Sequence, residues 1–377
     1  MVRALVNGRV LAGGHWMEGQ AVVIDGDRIA AIVAEFEVPV DVERIDLGSG
    51  TLLPGFIDTQ VNGGGDVLFN DDPSVAGIAA IGAAHRRFGT TGFLPTLISD
   101  NLDVMAAAID AVDAAITAGV PGVLGIHLEG PLLNPARRGI HSAEKIRAMS
   151  PEAMAVLTRP GRGKRMVTLA PETVEPGCIR QLAKAGIIVS AGHTEADCAT
   201  VMRALDHGLR GFTHLFNAMS PLTSREPGTV GAALYDDKSW CGIIVDGFHV
   251  DPLVFRLALR AAPLRRFMLV TDAMPSVGGT KEFRLNGETI QARDGKCVSA
   301  SGTIAGSDLD MATAVRNCVE LLGLSLEQAS MLASTNPAAF LGLDGEIGSI
   351  APGYRADLVL LDEQMQVVEC WIGGEPS

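Results

Sequence analysis

Two histidines, His193 and His214, each close a short apolar run, Ile187–His193 and Gly211–His214, with one helical stretch, Ala196–His207, between them. An imidazole at the C-terminal end of a buried strand lies where α/β folds keep their chemistry. Two of them one βα unit apart suggest a metal site. Carboxylates close similar runs: Asp58 ends Leu52–Asp58, Glu129 ends Gly122–Glu129 and Asp272 ends Phe267–Asp272. Glu129, His193 and His214 together offer one carboxylate and two imidazoles. That mixed set suits zinc or a similar divalent ion in a catalytic site with a position left for water. A single such histidine reads better as a hydrogen-bonded core or rim residue, and the convergence of three strand ends is what favours a metal. Asp272, in LVTDAMP, can take a proton from an activated water and pass it on. A salt bridge or helix cap is the other reading, although Ala273-Met274-Pro275 does not open a regular helix.

A second set lies on the loops after these runs: His141 after the third, Asn217 and Arg225 after the sixth, His249 after the seventh. Arg225 with His249 suits an anion such as a phosphate; spacing alone leaves an ordinary surface arginine as an equal reading. Period-2 alternation puts His127 on the face of Glu129, one layer below it, as an orienting partner or as core. Glu172 closes the fourth run. His15, His85 and His207 have no partners in sequence and read as structural or surface residues.

The elements that must position these residues follow a regular texture from Thr51 onward. Eight apolar runs alternate with helical stretches: Leu52–Asp58, Thr91–Leu97, Gly122–Glu129, Met166–Pro171, Ile187–His193, Gly211–His214, Gly242–Asp246 and Phe267–Asp272. Runs this apolar suit parallel strands buried on both faces, and eight βα repeats fit one (β/α)8 TIM barrel, an α/β fold in which all the strand ends face one mouth. A doubly wound open sheet is the alternative, but no GxGxxG follows the first run. Residues 1–50 alternate short β-like runs with turns. Asn7-Gly8 predicts a hairpin between Arg3–Val6 and Arg9–Leu11, and Asp25-Gly26-Asp27 a second between Ala21–Ile24 and Ile29–Val33. After the barrel, Glu282–Ile290 and Lys296–Ser299 predict a β-hairpin insertion, followed by helices near Asp308–Leu322 and Leu326–Leu341. Asp357–Leu361 and Val367–Ile372 are expected to pair with the N-terminal strands. The expected organisation is therefore a barrel over 51–345 and one small β-sandwich domain built from both chain ends, 1–50 and 346–377.

Composition narrows the function classes. The 377 residues are 47% hydrophobic, 20% charged and carry a formal net charge of −14. That charge argues against nucleic acid or an anionic membrane surface as the main partner. No apolar run reaches the ~20 residues of a membrane helix, and the first residues show no signal-peptide pattern. The 6 cysteines show no CxxC or framework spacing, so reduced thiols and a cytoplasmic location are expected.

The motifs PGFID at 54–58, HLEGP at 127–131, SAGHT at 190–194, THLFNAM at 213–219, REPG at 225–228, DGFHVD at 246–251 and VTDAM at 270–274, with the closing pattern Gly348–Asp362, carry a family resemblance. The chain resembles the N-acetylglucosamine-6-phosphate deacetylase family of the amidohydrolase superfamily nearly end to end. The resemblance implies metal-dependent hydrolysis of the N-acetyl group of an amino-sugar phosphate. It implies Glu129, His193 and His214 as ligands of one divalent ion per subunit, zinc, iron or another, and Asp272 as the acid/base. His141 would polarise the acetyl carbonyl. Ile140, Asn217, Ala218, Arg225, the turn Asp246-Gly247-Phe248-His249 and Ile304-Ala305-Gly306 would hold the substrate. It further implies a homodimer in which Arg225 reaches the partner subunit's site. One departure matters: many superfamily members carry H-x-H after the first strand and hold a second metal there, whereas this chain has Gln60-Val61-Asn62. Amides are poorer ligands for zinc-like ions than imidazoles, so Gln60 and Asn62 point to the single-metal branch, with at most a vestigial second site. The alternatives are an amidohydrolase for N-acetylgalactosamine 6-phosphate or an N-acyl amino acid, and a metal-free scaffold paralogue.

Overall fold

In a computed structural model that describes residues 2–299, 302 and 304–376, eight parallel strands form one sheet in sequential order. They are Phe56–Val61, Thr90–Ile98, Gly125–Glu129, Lys164–Leu169, Ile188–Ala191, Leu209–Phe212, Trp240–Ile243 and Phe267–Leu269. The sheet closes between its first and last strands at their C-terminal ends. Asp272 N–H donates to Gln60 O at 3.0 Å and Asn62 N–H to Ala273 O at 2.9 Å, with Val61 bridging Ala273. The expected (β/α)8 barrel is present.

Alternation along the strands fills the barrel in layers. Leu94, Met166, Ile188 and Met268 join Ile57 in an apolar cluster at the N-terminal end, together with Phe340 from the helix Asn336–Leu341. Two residues further along each strand come Thr96, Thr168 and Ser190, beside His127 and Thr213, all buried. The next layer is the mouth.

The chain ends build two further sheets. One orders Arg28–Ala34, Gln20–Asp25, Val2–Val6 and Glu43–Asp46; the other orders Glu375–Pro376, Val367–Ile372, Leu358–Leu361, Thr51–Pro54, Arg9–Ala12 and His15–Met17. Leu5, Val22, Ile24 and Ile29 of the first pack against Val10, Leu52, Leu358 and Trp371 of the second, which makes a β-sandwich from both ends. The expected direct pairing of Asp357–Leu361 and Val367–Ile372 with strands of 1–50 is not observed: Leu358–Leu361 lies opposite Thr51–Pro54, Val367–Ile372 lies between Leu358–Leu361 and Glu375–Pro376, and Arg9–Ala12 joins the sheet through Thr51–Pro54.

Four boundaries differ from expectation. Asn7-Gly8 is not a hairpin: Val2–Val6 and Arg9–Ala12 lie in different sheets. Asn7 has φ +57° and donates from Nδ2 to Asp46 Oδ1 at 2.7 Å, so the turn carries the chain between the two layers. The run Leu52–Asp58 is two strands divided at Gly55, where a Cβ would lie 2.1 Å from Thr91 Oγ1; its first half belongs to the sandwich. Glu282–Ile290 is itself a hairpin, turned by Asn286-Gly287 at φ +50° and +83°, within a four-stranded antiparallel insertion. Leu326–Leu341 is not one regular α-helix: a π-helical turn spans Met331–Thr335. Pro337 lacks the N–H that a regular ladder would need there.

Candidate active site

His193, His214 and Asp272 each stand just beyond the end of their strand, with φ +49°, +36° and +53°. Left-handed backbone is uncommon away from glycine and clusters at functional sites. Here it ends the strand two residues or so before the side chain and turns that side chain over the mouth. Glu129, the last residue of the third strand, meets the two histidines from the facing side. Its Oε1 lies 3.2 Å from His193 Nε2 and 3.1 Å from His214 Nε2, and the two nitrogens are 3.1 Å apart. All three residues are buried.

The hydrogen bonds test whether these residues fit a metal. His193 Nδ1 lies 2.9 Å from the carbonyl of Arg137. A carbonyl only accepts, so Nδ1 carries the proton and the neutral ring presents a lone pair at Nε2. A lone pair facing a carboxylate oxygen and a second imidazole nitrogen at this spacing is a donor set for a cation, oriented by a carbonyl behind it. The residues fit a divalent ion.

Amide side chains stand where an H-x-H pair would. Gln60 Nε2 donates to Glu129 Oε1 and to Asp272 Oδ1, both at 3.1 Å, and Asn62 Nδ2 donates to Asp272 Oδ1 at 2.6 Å. Oδ1 of Asp272 is thereby engaged twice. Burial, then the charge of Glu129, raises the Asp272 carboxyl to about 6, partly offset by His214, His249 and Asn62. Burial also works to raise Glu129, but the close approach of His193 and His214 outweighs it and holds that carboxyl well below the usual range. Burial lowers His214; its hydrogen bond and charge attraction to Glu129 reverse the sign, and the net shift is upward. The Glu129 carboxylate thus keeps its charge, as a ligand must.

The residues around this centre come from separate elements. His141, on the loop after the third strand, puts Nε2 4.0 Å from Glu129 Oε2. Burial, then the charge of His193, pushes His141 down to about 3, so its imidazole is neutral at ordinary pH. That loop is tied to the loop after the fifth strand. Asn134 N–H donates to His193 O at 3.0 Å, Asn134 Nδ2 to Glu172 Oε1 at 2.8 Å, and Arg137 pairs with Glu195. Glu172 therefore fastens loops and does not line the pocket. His127 lies beneath, between Thr96 Oγ1 at 3.3 Å and Thr168 Oγ1 at 2.7 Å; Thr168 continues to Thr213 at 2.7 Å, and Thr213 donates to Ser190 at 2.8 Å. This belt of hydroxyls fixes the floor of the site, and burial pushes His127 down to about 4. His85 is a core residue bonded to Gly63 O at 2.8 Å.

The mouth is a pocket of about 210 Å³. Asn62, Ile140, His141, Asn217, Ala218, His249, Ile304 and Gly306 line it with the metal-site residues and Asp272. Other expected substrate residues do not. Ala305 faces the apolar cluster behind the pocket. Asp246 holds His249 from behind, Oδ2 to Nδ1 at 2.6 Å, and accepts the N–H groups of Phe248 and His249 on Oδ1. Phe248 is exposed under Lys296, whose Nζ is 4.2 Å from its ring centre. Arg225 is exposed and outside the pocket, which has no Lys or Arg among its described lining residues. The second strand, to which the sequence reading assigned no residue, contributes Ser99, in contact with His141. Its signal was its place: the first polar residue after the strand.

A (β/α)8 barrel with a buried carboxylate and two imidazoles at its C-terminal mouth, next to a second carboxylate, defines the class of metal-dependent barrel hydrolases. The sequence profile of the amidohydrolase family matches residues 51–376, and that of the NagA composite domain matches residues 3–53. The chain is 44% identical to the N-acetylgalactosamine-6-phosphate deacetylase of Shewanella sp. (strain ANA-3), over 97% of this chain and 94% of that one. It is 34% identical to the N-acetylglucosamine-6-phosphate deacetylase of Haemophilus influenzae, over 100% and 99%. The crystal structure of N-acetylglucosamine-6-phosphate deacetylase from Pasteurella multocida superposes with a TM-score of 0.97 at 36% identity, over all of both chains. The chain belongs to the amidohydrolase family.

Proposed function

We propose that this protein hydrolyses the N-acetyl group of N-acetylglucosamine 6-phosphate to glucosamine 6-phosphate and acetate. The observation that carries the reading is the mutual approach of Glu129 Oε1, His193 Nε2 and His214 Nε2 within 3.2 Å, beside Asp272 in one pocket of an amidohydrolase. Glu129, His193 and His214 hold one divalent ion per subunit, zinc fitting this donor set best and iron being the alternative. When bound, such an ion supplies Lewis-acid activation of water and of the carbonyl oxygen. Gln60 and Asn62 donate to carboxylates from the positions of a second metal's ligands, which supports a single ion.

The chain's own residues do the rest. Asp272 accepts the proton as water attacks the acetamide carbonyl, then returns it to the nitrogen of the departing amine, which is a poor leaving group unless protonated. Its raised carboxyl suits both roles, and the charge of a bound dication would draw it back toward the ionised form at neutral pH. His141 faces the reacting carbonyl and stabilises the oxyanion by hydrogen bonding. Asn217, Ala218, Ile140, Ile304 and Gly306 surround the sugar, and His249, braced by Asp246, meets the phosphate. The absence of Lys and Arg from the pocket's described lining, and an Arg225 that is exposed and outside it, support a homodimer in which Arg225 serves the site of a second copy. Six free thiols support a cytoplasmic location.

A second reading, the C4 epimer N-acetylgalactosamine 6-phosphate as substrate, is favoured by the 44% identity to an enzyme of that name. Acetate release from both epimers, each with and without the 6-phosphate, tests the pair. A kcat/KM highest for the phosphorylated glucosamine derivative supports the first reading. A clear preference for the galacto epimer replaces it with the second, and no acetate from any of the four rejects both.

A further inference from the structure

Ser99 follows the second barrel strand directly, and it meets His141 twice. Its backbone N–H donates to His141 Nδ1 at 3.2 Å, and its Oγ lies 2.9 Å from the same nitrogen. A backbone N–H can only donate, so Nδ1 is an acceptor. A neutral imidazole with Nδ1 accepting carries its one proton on Nε2. Nε2 is the ring atom turned toward the reacting centre, 4.0 Å from Glu129 Oε2.

The surroundings hold this contact in place. Asn70 pins both backbone groups of Ile98, donating from Nδ2 to its carbonyl at 3.1 Å and accepting its N–H on Oδ1 at 3.0 Å. Lys145, beyond His141 on the same loop, pairs with Asp100 at 3.0 Å. Gly130, at φ +96°, leaves room for the serine: a Cβ there would lie 2.2 Å from Ser99 Oγ. Ser99 and His141 are both buried.

We propose that Ser99 is a positioning residue that fixes His141 as its Nε2–H tautomer, so that His141 acts as a hydrogen-bond donor to the acetamide oxygen and never as a base. The identity of the acceptor rests on the deacetylase reading; the tautomer does not. With no lone pair on the face toward the substrate, His141 cannot take the proton of the attacking water, and Asp272 is left as its acceptor.

The test uses zinc-loaded full-length protein with 15N-labelled histidine, the His141 signals being assigned by their loss in His141→Gln. Two-bond 1H–15N spectra of the wild type should show a pyrrole-type Nε2 and a pyridine-type Nδ1. Ser99→Ala removes the hydroxyl donor and keeps the amide. It should shift the Nδ1 resonance and lower kcat about 3- to 10-fold with KM unchanged, as expected for one lost hydrogen bond, and Ser99→Thr should restore both. A protonated Nδ1 in the wild type overturns the proposal, as does Ser99→Ala with wild-type kcat and an unmoved Nδ1. If Ser99→Ala fails to fold, the wild-type spectrum decides alone. Failure of the deacetylase reading shows separately, as no acetate release by the wild type.

Discussion

Replacing Asp272 by asparagine should remove catalysis and leave the site standing. Asp272 Oδ1 accepts from Asn62 Nδ2 at 2.6 Å and from Gln60 Nε2 at 3.1 Å. An asparagine carbonyl oxygen in that position keeps both bonds, with its amide group where Oδ2 stood. The backbone at 272 has φ +53°, a conformation asparagine adopts at least as readily as aspartate. The stability change should therefore stay below about 1 kcal/mol, and the ion, held by other residues, should remain. What is lost is the group proposed to accept and return the proton. General acid–base groups contribute on the order of 10²–10⁴ in rate, or about 3–5 kcal/mol of activation free energy. Acetate release measures kcat, atomic emission the ion content, and thermal melting the fold. An Asp272→Asn protein with a full ion complement and a kcat within about threefold of wild type would refute the assignment of Asp272 and the mechanism built on it.

Arg225→Met should raise KM for the phosphorylated sugar about 10- to 100-fold, the loss of a charge-assisted contact, and leave unphosphorylated substrates unchanged; equal losses on both count against a phosphate role. Stripping the ion with a chelator should abolish acetate release, and added zinc should restore it; undiminished turnover by ion-free protein would contradict the ligand assignment. Asp58 gives a pH dependence of stability. Burial raises its carboxyl to about 7, against hydrogen bonds from Thr271 and Gln60. The folded chain then keeps a proton that the unfolded chain has lost above pH ~4, so this group's contribution is largest below that pH and falls as pH rises toward 7, by at most about 4 kcal/mol. Asp58→Asn cannot ionise and should flatten this part of the slope in urea unfolding at pH 5 and 8. Identical slopes in wild type and variant would show that Asp58 is not the source.

Much of the site was legible because barrels present strand ends at one mouth. Glu129, His193, His214 and Asp272 were each recognisable as a polar residue closing an apolar run, and all four line one pocket. The runs themselves marked all eight strands. Local turn chemistry was less dependable. Asn7-Gly8 has the composition of a hairpin but joins two sheets, because Asn7 is bonded to Asp46 and not across a ladder. Asn286-Gly287 does turn a hairpin, inside a run that reads as one strand.

The sequence by itself determined the order of elements, the ligand types and the substitution of amides at 60 and 62, since these depend on residue identity and on short-range periodicity. Only the tertiary structure decided which atoms face each other. It set the His193 tautomer through the Arg137 carbonyl, engaged one oxygen of Asp272 with two amides, and placed Ser99 against His141. It also left Arg225 outside the pocket of its own chain. Such relations join residues far apart in the chain through single hydrogen bonds, and their donors and acceptors are chosen by packing, which no local pattern encodes.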